Sequence, residues 1–342
     1  MNKAFEKGGR FYWLHSTIDA FQTFLKVPGT VTRNGAHVRD AVDLKRIMIV
    51  AVISVVPAAL FGMWNVGYQH SLATGADPSF LGDFWYGLLK VLPLYIVSYV
   101  VGLAIEFASS QIRGEEVNEG YLVSGFLIPL IVPVTTPLWM LALAVAFAVI
   151  FGKEVFGGTG MNIWNPALLA RAFLFFSYPS AMSGSEVWIA KKASETFVDG
   201  FTGATPLALD GAAQYGNSVL SQFIGTIPGA VGETSVIAIL LGACLLLFTG
   251  VASWKVMCGS VLGALCVGCI GDLAGVSAIP CWNQLIVGGF AFGTVFMATD
   301  PVTSAQTETG KWIYGFLIGA LCIVVRLFNP GYAEGMMLAI LL

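Results

Sequence analysis

The sequence predicts an all-α polytopic membrane protein, with about ten transmembrane helices in two inverted five-helix repeats. Three observations carry that expectation. The 342 residues are 56% hydrophobic and only 11% charged, where a soluble domain carries about 25% charge, and the mean hydropathy is +0.79. Apolar runs recur along nearly the whole chain past its first 40 or so residues, with no polar block long enough for a second globular domain. Finally, Leu122-Val-Ser-Gly-Phe126 and Val134-Thr-Thr-Pro137 are echoed by Ile286-Val-Gly-Gly-Phe290 and Ala298-Thr-Asp-Pro301, with Gly125 to Gly289 and Pro137 to Pro301 both 164 positions apart.

Residues 1–44 read as a polar cytoplasmic arm with no cleavable signal peptide, in which Tyr12, Trp13, Phe21 and Phe24 suit either a membrane-surface stretch or an ordinary cap. The first repeat is expected over 45–180, with spans near 46–65, 84–107, 120–133, 137–152 and 164–180. A long loop, 181–232, follows. The second repeat occupies 233–342, with spans near 234–250, 255–272, 283–298, 312–328 and 332–342. Several runs are short or rich in Gly and Pro, which is tolerated at membrane depth only where protein covers the backbone. The last run ends at Leu342 after about ten residues, short of the roughly 20 a span needs, so a truncated last helix is expected.

Basic residues set the orientation. Arg33, His37, Arg39, Lys45 and Arg46 precede the first span and place the N-terminus in the cytoplasm. Arg113, Lys153, Lys255 and Lys311 then fall on the same side, whereas Arg326 dissents. Five crossings put the 181–232 loop outside, although it holds Lys191 and Lys192. Five spans per half make the repeats opposite in orientation, an arrangement that puts a pathway near the midplane. The net charge of −3, with no basic stripe, argues against nucleic acid.

Four features could carry chemistry. The loop contains Asp199-Gly-Phe-Thr-Gly-Ala-Thr205, which resembles the site where a flavin transferase esterifies FMN onto threonine. Thr205 is the acceptor expected and Thr202 the alternative; Gly203 and Ala204 keep the backbone narrow. The glycine-rich run Gly152–Ala167 opens an apolar helix, so its backbone N–H groups could bind an anion or a ring edge, and Asn162 and Asn165 could bond a heterocycle. It equally suits a plain capping turn. Glu106, Glu154, Asp272, Asp300 and Glu334 lie in or beside spans, where an ionisable group is costly and a functional candidate. Asp300 follows Phe290, Phe292 and Phe296, as in a constriction leading to a carboxylate that would favour a hard cation such as Na⁺; Asp300-Pro301 also reads as a simple helix stop. Six cysteines are present. Cys266-x-x-Cys269 has ligand spacing but no second pair, so buried free thiols are expected, with no metal site and no disulfide framework.

Taken together, His37-Val-Arg-Asp-Ala-Val-Asp-Leu-Lys-Arg46, Glu116-Val-Asn-Glu-Gly120, Lys153-Glu-Val-Phe-Gly-Gly-Thr-Gly160, Arg171-Ala-Phe-Leu-Phe-Phe176 and Gly310-Lys-Trp-Ile-Tyr-Gly315 resemble the B-type membrane component of the bacterial Na⁺-translocating NADH:quinone oxidoreductases (Na⁺-NQR). The D-type component of the Rnf complex is the sister family but lacks these strings and the long arm. The resemblance implies a urea-transporter-like fold in a bacterial inner membrane, with a periplasmic flavin loop. It implies covalent FMN on Thr205, non-covalent riboflavin near Asn162 and Asn165, and electron flow to ubiquinone coupled to Na⁺ transport. Asp19, Glu106 and Asp300 match acids linked to Na⁺, and Phe292 and Phe296 match a gate. Gly102 matches a glycine of the quinone region, although Leu103 stands where a second glycine is common. The implied partners are the other five components of the Na⁺-NQR complex (the A, C, D, E and F types), and a flavin transferase for maturation. A passive channel or secondary transporter of the same fold is the alternative, and a structural scaffold for redox proteins is a third reading.

Overall fold

The computed structural model describes residues 34–35, 44–113, 120–190, 195, 198, 201–208, 218–277, 279–329 and 334–342. The expectations placed on the arm, Asp19 and its aromatic residues included, and on Lys191, Lys192 and Asp199 lie outside the described residues.

The described residues are all-helical. In chain order they form α1 (Leu44–Thr74), α2 (Phe80–Arg113), α3 (Tyr121–Ile131), α4 (Leu138–Gly152), α5 (Pro166–Ser177), α6 (Val236–Phe248) and α7 (Trp254–Leu273). A broken element follows: α8 (Phe290–Phe292) runs into a π-turn over Gly293–Met297, closed by Ala298 N–H donating to Gly293 O at 2.7 Å. The series ends with α9 (Glu308–Phe328) and α10 (Met336–Leu341).

Among the described residues, five helices are long and apolar enough to cross a membrane: α1, α2, α4 with its short continuation to Phe156, α7 and α9. The remaining apolar runs form shorter pieces. Pro129 interrupts α3, and Gly288 with φ +67° turns the chain just before α8. Conversely, α1 and α2 run well past their expected ends because their polar extensions find partners inside the protein. Asn65 Nδ2 donates to Ile227 O at 2.9 Å, and Ser71 Oγ donates to Asp83 Oδ1 at 2.6 Å. At 1.5 Å per residue α1 spans roughly 46 Å, longer than a bilayer core of about 30 Å.

Helix α2 packs on α4, and α7 packs likewise on α9. Helix α1 meets α6, and α5 meets α10. Between them, α3 and α8 are deeply buried. Ile128, Leu130 and Ile131 of α3 and Phe292 of α8 are fully buried. Gly232 joins them. Its N–H donates to Leu130 O at 2.8 Å, and a Cβ there would come within 2.9 Å of both Leu130 and Phe292.

Small residues bring the backbones of α7 and α9 together, as membrane helices do in the absence of a strong hydrophobic drive between them. A Cβ on Gly263 would fall 2.1 Å from Phe316 O, and one on Gly319 would fall 1.9 Å from Ser260 O. Large apolar side chains such as Leu89, Ile96, Leu241, Leu262 and Leu317 face outward, as expected where the surroundings are lipid.

Two expectations need correction. Cys244, Cys258 and Cys266 are exposed, where a lipid-facing surface costs an apolar thiol nothing; Cys269 is exposed near the end of α7, and only Cys322 is buried. Arg326 does not report on a loop's side of the membrane. Its guanidinium turns inward, donating to Gln284 O at 2.5 Å, Val287 O at 2.9 Å and Glu334 O at 3.2 Å.

Candidate functional site

Five of the residues singled out by sequence, or their direct partners, line one cavity of about 70 Å³ that opens to a wider mouth: Lys153, Asn162, Asn165, Phe296 and Asp300. The ends of α1, α3 and α6, the glycine-rich loop after α4, the start of α5 and the turn after the π-element enclose it.

Asn165 is the N-cap of α5. Its Oδ1 accepts from Ala167 N–H at 2.9 Å while Pro166 opens the first turn, where no N–H is needed. The amide is thereby fixed, and its Nδ2 donates to Asp300 Oδ2 at 3.0 Å. Thr303 Oγ1 donates to the same oxygen at 3.1 Å, and Val302 N–H donates to Asp300 Oδ1 at 3.1 Å. Burial pushes the Asp300 carboxyl above its ordinary range, and these three bonds pull it back. Asp300-Pro301 is therefore a helix stop and also a shielded carboxylate facing a cavity.

The glycine-rich loop differs from expectation. Its backbone N–H groups are largely spent within the loop: Gly157 on Glu154 O at 3.1 Å, Gly158 on Lys153 O at 3.1 Å, and Gly160 on Asn162 Oδ1 at 3.3 Å. Three glycines with positive φ (Gly157, Gly158 and Gly160) make this tight path possible. Those N–H groups are not available to an anion, and side chains add polarity to the cavity. Asn162 Nδ2 also donates to Trp164 O at 3.1 Å. Each asparagine amide keeps a second N–H and a second lone pair. Thr159 Oγ1 is buried with no partner among the described residues.

Glu106 lies beside this cavity. Arg113 pairs with Glu154 at 2.7 Å, and Glu106 receives Lys153 Nζ instead. The pair is 2% and 3% exposed, so the buried Lys153 ammonium depends on Glu106. The Lys153 ammonium also lies 6.0 Å from the Tyr121 ring centroid. Gly102, one turn before Glu106 on α2, is buried beneath that ring, where a Cβ would meet Tyr121 Cζ at 1.9 Å.

The aromatic pair is real and buried. Phe292 and Phe296 have centroids 5.0 Å apart. Asp300 lies beyond one end of their element and Gly288 before the other. The Thr205 loop meets that far end, where Leu207 packs on Gly288. Thr205 itself is half-buried, in a turn closed by Ala208 N–H on Thr205 O at 2.9 Å. Gly203 is needed, since a Cβ would lie 2.2 Å from Ser185 O. Thr202 Oγ1 already accepts from Ala204 N–H at 3.2 Å, which leaves Thr205 the freer hydroxyl of the two.

Sequence reasoning marked Glu334 but missed the charged cluster it belongs to. Arg171 of α5 donates to Glu233 at 2.5 Å and to Glu334, and both acids press on Gly289 at the start of α8. An arginine inside an apolar helix was the available signal.

The profile of the NQR2, RnfD, RnfE family matches residues 31–342. The chain belongs to this family. It is similar to proteins named as the B-type component of the Na(+)-translocating NADH-quinone reductase. That of Stutzerimonas stutzeri (strain A1501) is 44% identical, and the match covers 98% of this chain and 90% of the relative. The proteins of Ectopseudomonas mendocina (strain ymp), 45% identical, and Azotobacter vinelandii (strain DJ / ATCC BAA-1303), 44% identical, match over the same shares.

Proposed function

We propose that this chain is the B-type component of a bacterial Na⁺-translocating NADH:quinone reductase, a translocase of the inner membrane. It passes electrons towards ubiquinone with coupled Na⁺ movement. The observation that carries this reading is near-full-length likeness to proteins named as that component, in a chain whose Thr205 is half-buried two residues after a tightly packed glycine.

Thr205 Oγ1 would hold FMN through a phosphoester, which a flavin transferase would install. The loop fits that role: Gly203 is locked against Ser185 and the competing Thr202 is engaged. Riboflavin belongs at the cavity, where the unpartnered Thr159 Oγ1 and the remaining amide capacity of Asn162 and Asn165 suit a heterocycle edge. When bound, flavins supply one- and two-electron redox chemistry. The protein's own part is to position and shield. Phe292 and Phe296 exclude water between the two ends, and Asp300 holds a carboxylate where a cation could be balanced. Asp19, outside the described residues, and Glu106 belong to the same cation route. Lys153 neutralises Glu106 here, so a cation would have to compete with that ammonium. Gly102 acts on the quinone region through its fit beneath Tyr121.

In this reading the N-terminus is cytoplasmic, the two five-helix repeats are inverted, and the Thr205 loop is periplasmic. The partners are the other five components of the complex, the lipid bilayer and the quinone. The test is the intact mass of the protein co-expressed with an active flavin transferase, beside Thr205→Ala. A gain of one esterified FMN in the wild type alone supports the assignment. No gain in either, with the transferase active on a control, rejects it in favour of a channel or transporter of the same fold.

A further inference from the structure

Among the described residues, Cys269 and Cys281 are the cysteines whose sulfurs meet, at 3.1 Å. Three features hold them there. Cys281 packs its backbone on Gly268, where a Cβ would come within 2.9 Å of Cys281 Cβ. Cys281 N–H donates to Asp272 Oδ2 at 2.8 Å, one turn further along α7. Gln284 Nε2 binds Ser277 Oγ at 3.0 Å and Ile279 O at 3.3 Å, tying both sides of the connecting loop together. Cys269 is exposed and Cys281 half-exposed, so an enzyme could reach them. No group of three or more His, Cys, Asp or Glu among the described residues is placed to hold a metal.

We propose that Cys269 and Cys281 form a disulfide in the mature protein, tying the end of α7 to the entry of the broken helix. A disulfide has an S–S bond of about 2.05 Å, so the sulfurs need to move together by about 1 Å, which small χ1 changes provide. The inference rests on the orientation given under Proposed function, which puts this end of α7 outside the cytoplasm, where disulfides persist. The oxidant is an exported thiol–disulfide oxidoreductase in its disulfide form. One thiolate attacks that disulfide, giving a mixed disulfide, and the second thiol displaces the carrier. Cys269 and Cys281 together lose two electrons and two protons, and the carrier leaves as a dithiol. Hydrogen bonding to Cys269, then burial and Asp272, hold the Cys281 thiol up at about 11, so little of it is thiolate and closure calls for an enzyme rather than dissolved oxygen alone. Composition argues against a disulfide framework, but a single bridge needs only this one encounter.

The test uses the intact complex in membranes from aerobic cells, quenched with N-ethylmaleimide and digested without reduction. A peptide linking Cys269 to Cys281, two hydrogens lighter than the thiol pair and absent in Cys269→Ser, supports the bond. A reductant should then lower the unfolding midpoint of the wild type and leave Cys269→Ser unmoved. A second arm reduces the sample and maps, by mass, where a membrane-impermeant maleimide reaches Cys281. Separately alkylated cysteines in quenched membranes, with Cys281 reached from outside, overturn the bond and leave the orientation standing. Labelling of Cys281 only in inverted vesicles overturns the orientation, and the disulfide with it.

Discussion

The amide of Asn165 joins two parts of the chain 135 positions apart: it caps α5 through Ala167 and donates to Asp300 at 3.0 Å. The residue expected to touch a heterocycle and the residue expected to balance a cation are thus one hydrogen bond apart. Asn165→Ala removes the cap and a bond to a carboxylate together, about 2 kcal/mol in all. Asn165→Asp keeps the cap but sets a second carboxylate against Asp300. Thermal unfolding should show a loss in the first. The Na⁺ dependence of turnover should shift in both.

Asp300 carries a raised pKa because burial outweighs its three hydrogen bonds. A raised carboxyl pKa means protons compete with a cation at a higher pH than at an ordinary aspartate. Na⁺-stimulated activity should therefore fall on acidification before surface carboxylates titrate. Thr303→Val removes a bond that favours the charged form, so it should move that fall to higher pH. Asp300→Ala should abolish the dependence, and reconstituted complex carrying it should pump less Na⁺ per electron.

The Glu106–Lys153 pair is almost fully buried, so breaking it strands a charge. Glu106→Ala should cost about 3–5 kcal/mol. Glu106→Leu with Lys153→Met removes both charges and should recover most of that stability, without restoring Na⁺ uptake. Thermal unfolding and transport measured on the same preparations separate the two effects.

Gly102 leaves no space for a side chain beneath Tyr121. Gly102→Ala should cost about 1–3 kcal/mol by overpacking and displace Tyr121 from Lys153. Adding Tyr121→Leu should relieve the strain. If quinone affinity stays altered in the relieved double variant, Gly102 acts by contact; if it recovers, Gly102 acts through Tyr121.

At Thr205, Ser should accept flavin and Val should not. Gly203→Ala should lower the flavinylated fraction with Thr205 intact, because Ser185 O blocks its Cβ. In-gel fluorescence after denaturing electrophoresis reads all three.

Hydropathy located the apolar segments well because lipid-facing surface is written in composition. It could not separate a full crossing from a short or broken piece. Residues 283–298 looked like one span, but the turn at Gly288 and the π-turn at Gly293–Met297 depend on contacts with Gly232, Leu207 and Met336 from distant parts of the chain. The site was legible residue by residue: Asn162, Asn165, Phe296 and Asp300 were each marked by their chemistry. That they share one cavity was not, because the 135 positions between Asn165 and Asp300 carry no local signal. The partners Lys153, Thr159 and Thr303 went unmarked as partners for the same reason.

Backbone contact between α7 and α9 leaves neither helix free to slide or roll on the other, since Gly263, Gly315 and Gly319 each receive a carbonyl of the opposite helix. The two therefore move as one strut. Any cycle of conformations in this fold must carry that strut as a solid body and take up the displacement elsewhere. The segment joined to it at both ends, with its non-uniform helical winding, is α8 and its π-turn. A spin-label pair across α7 and α9 should hold one distance through turnover, and a pair from α9 to α8 should not.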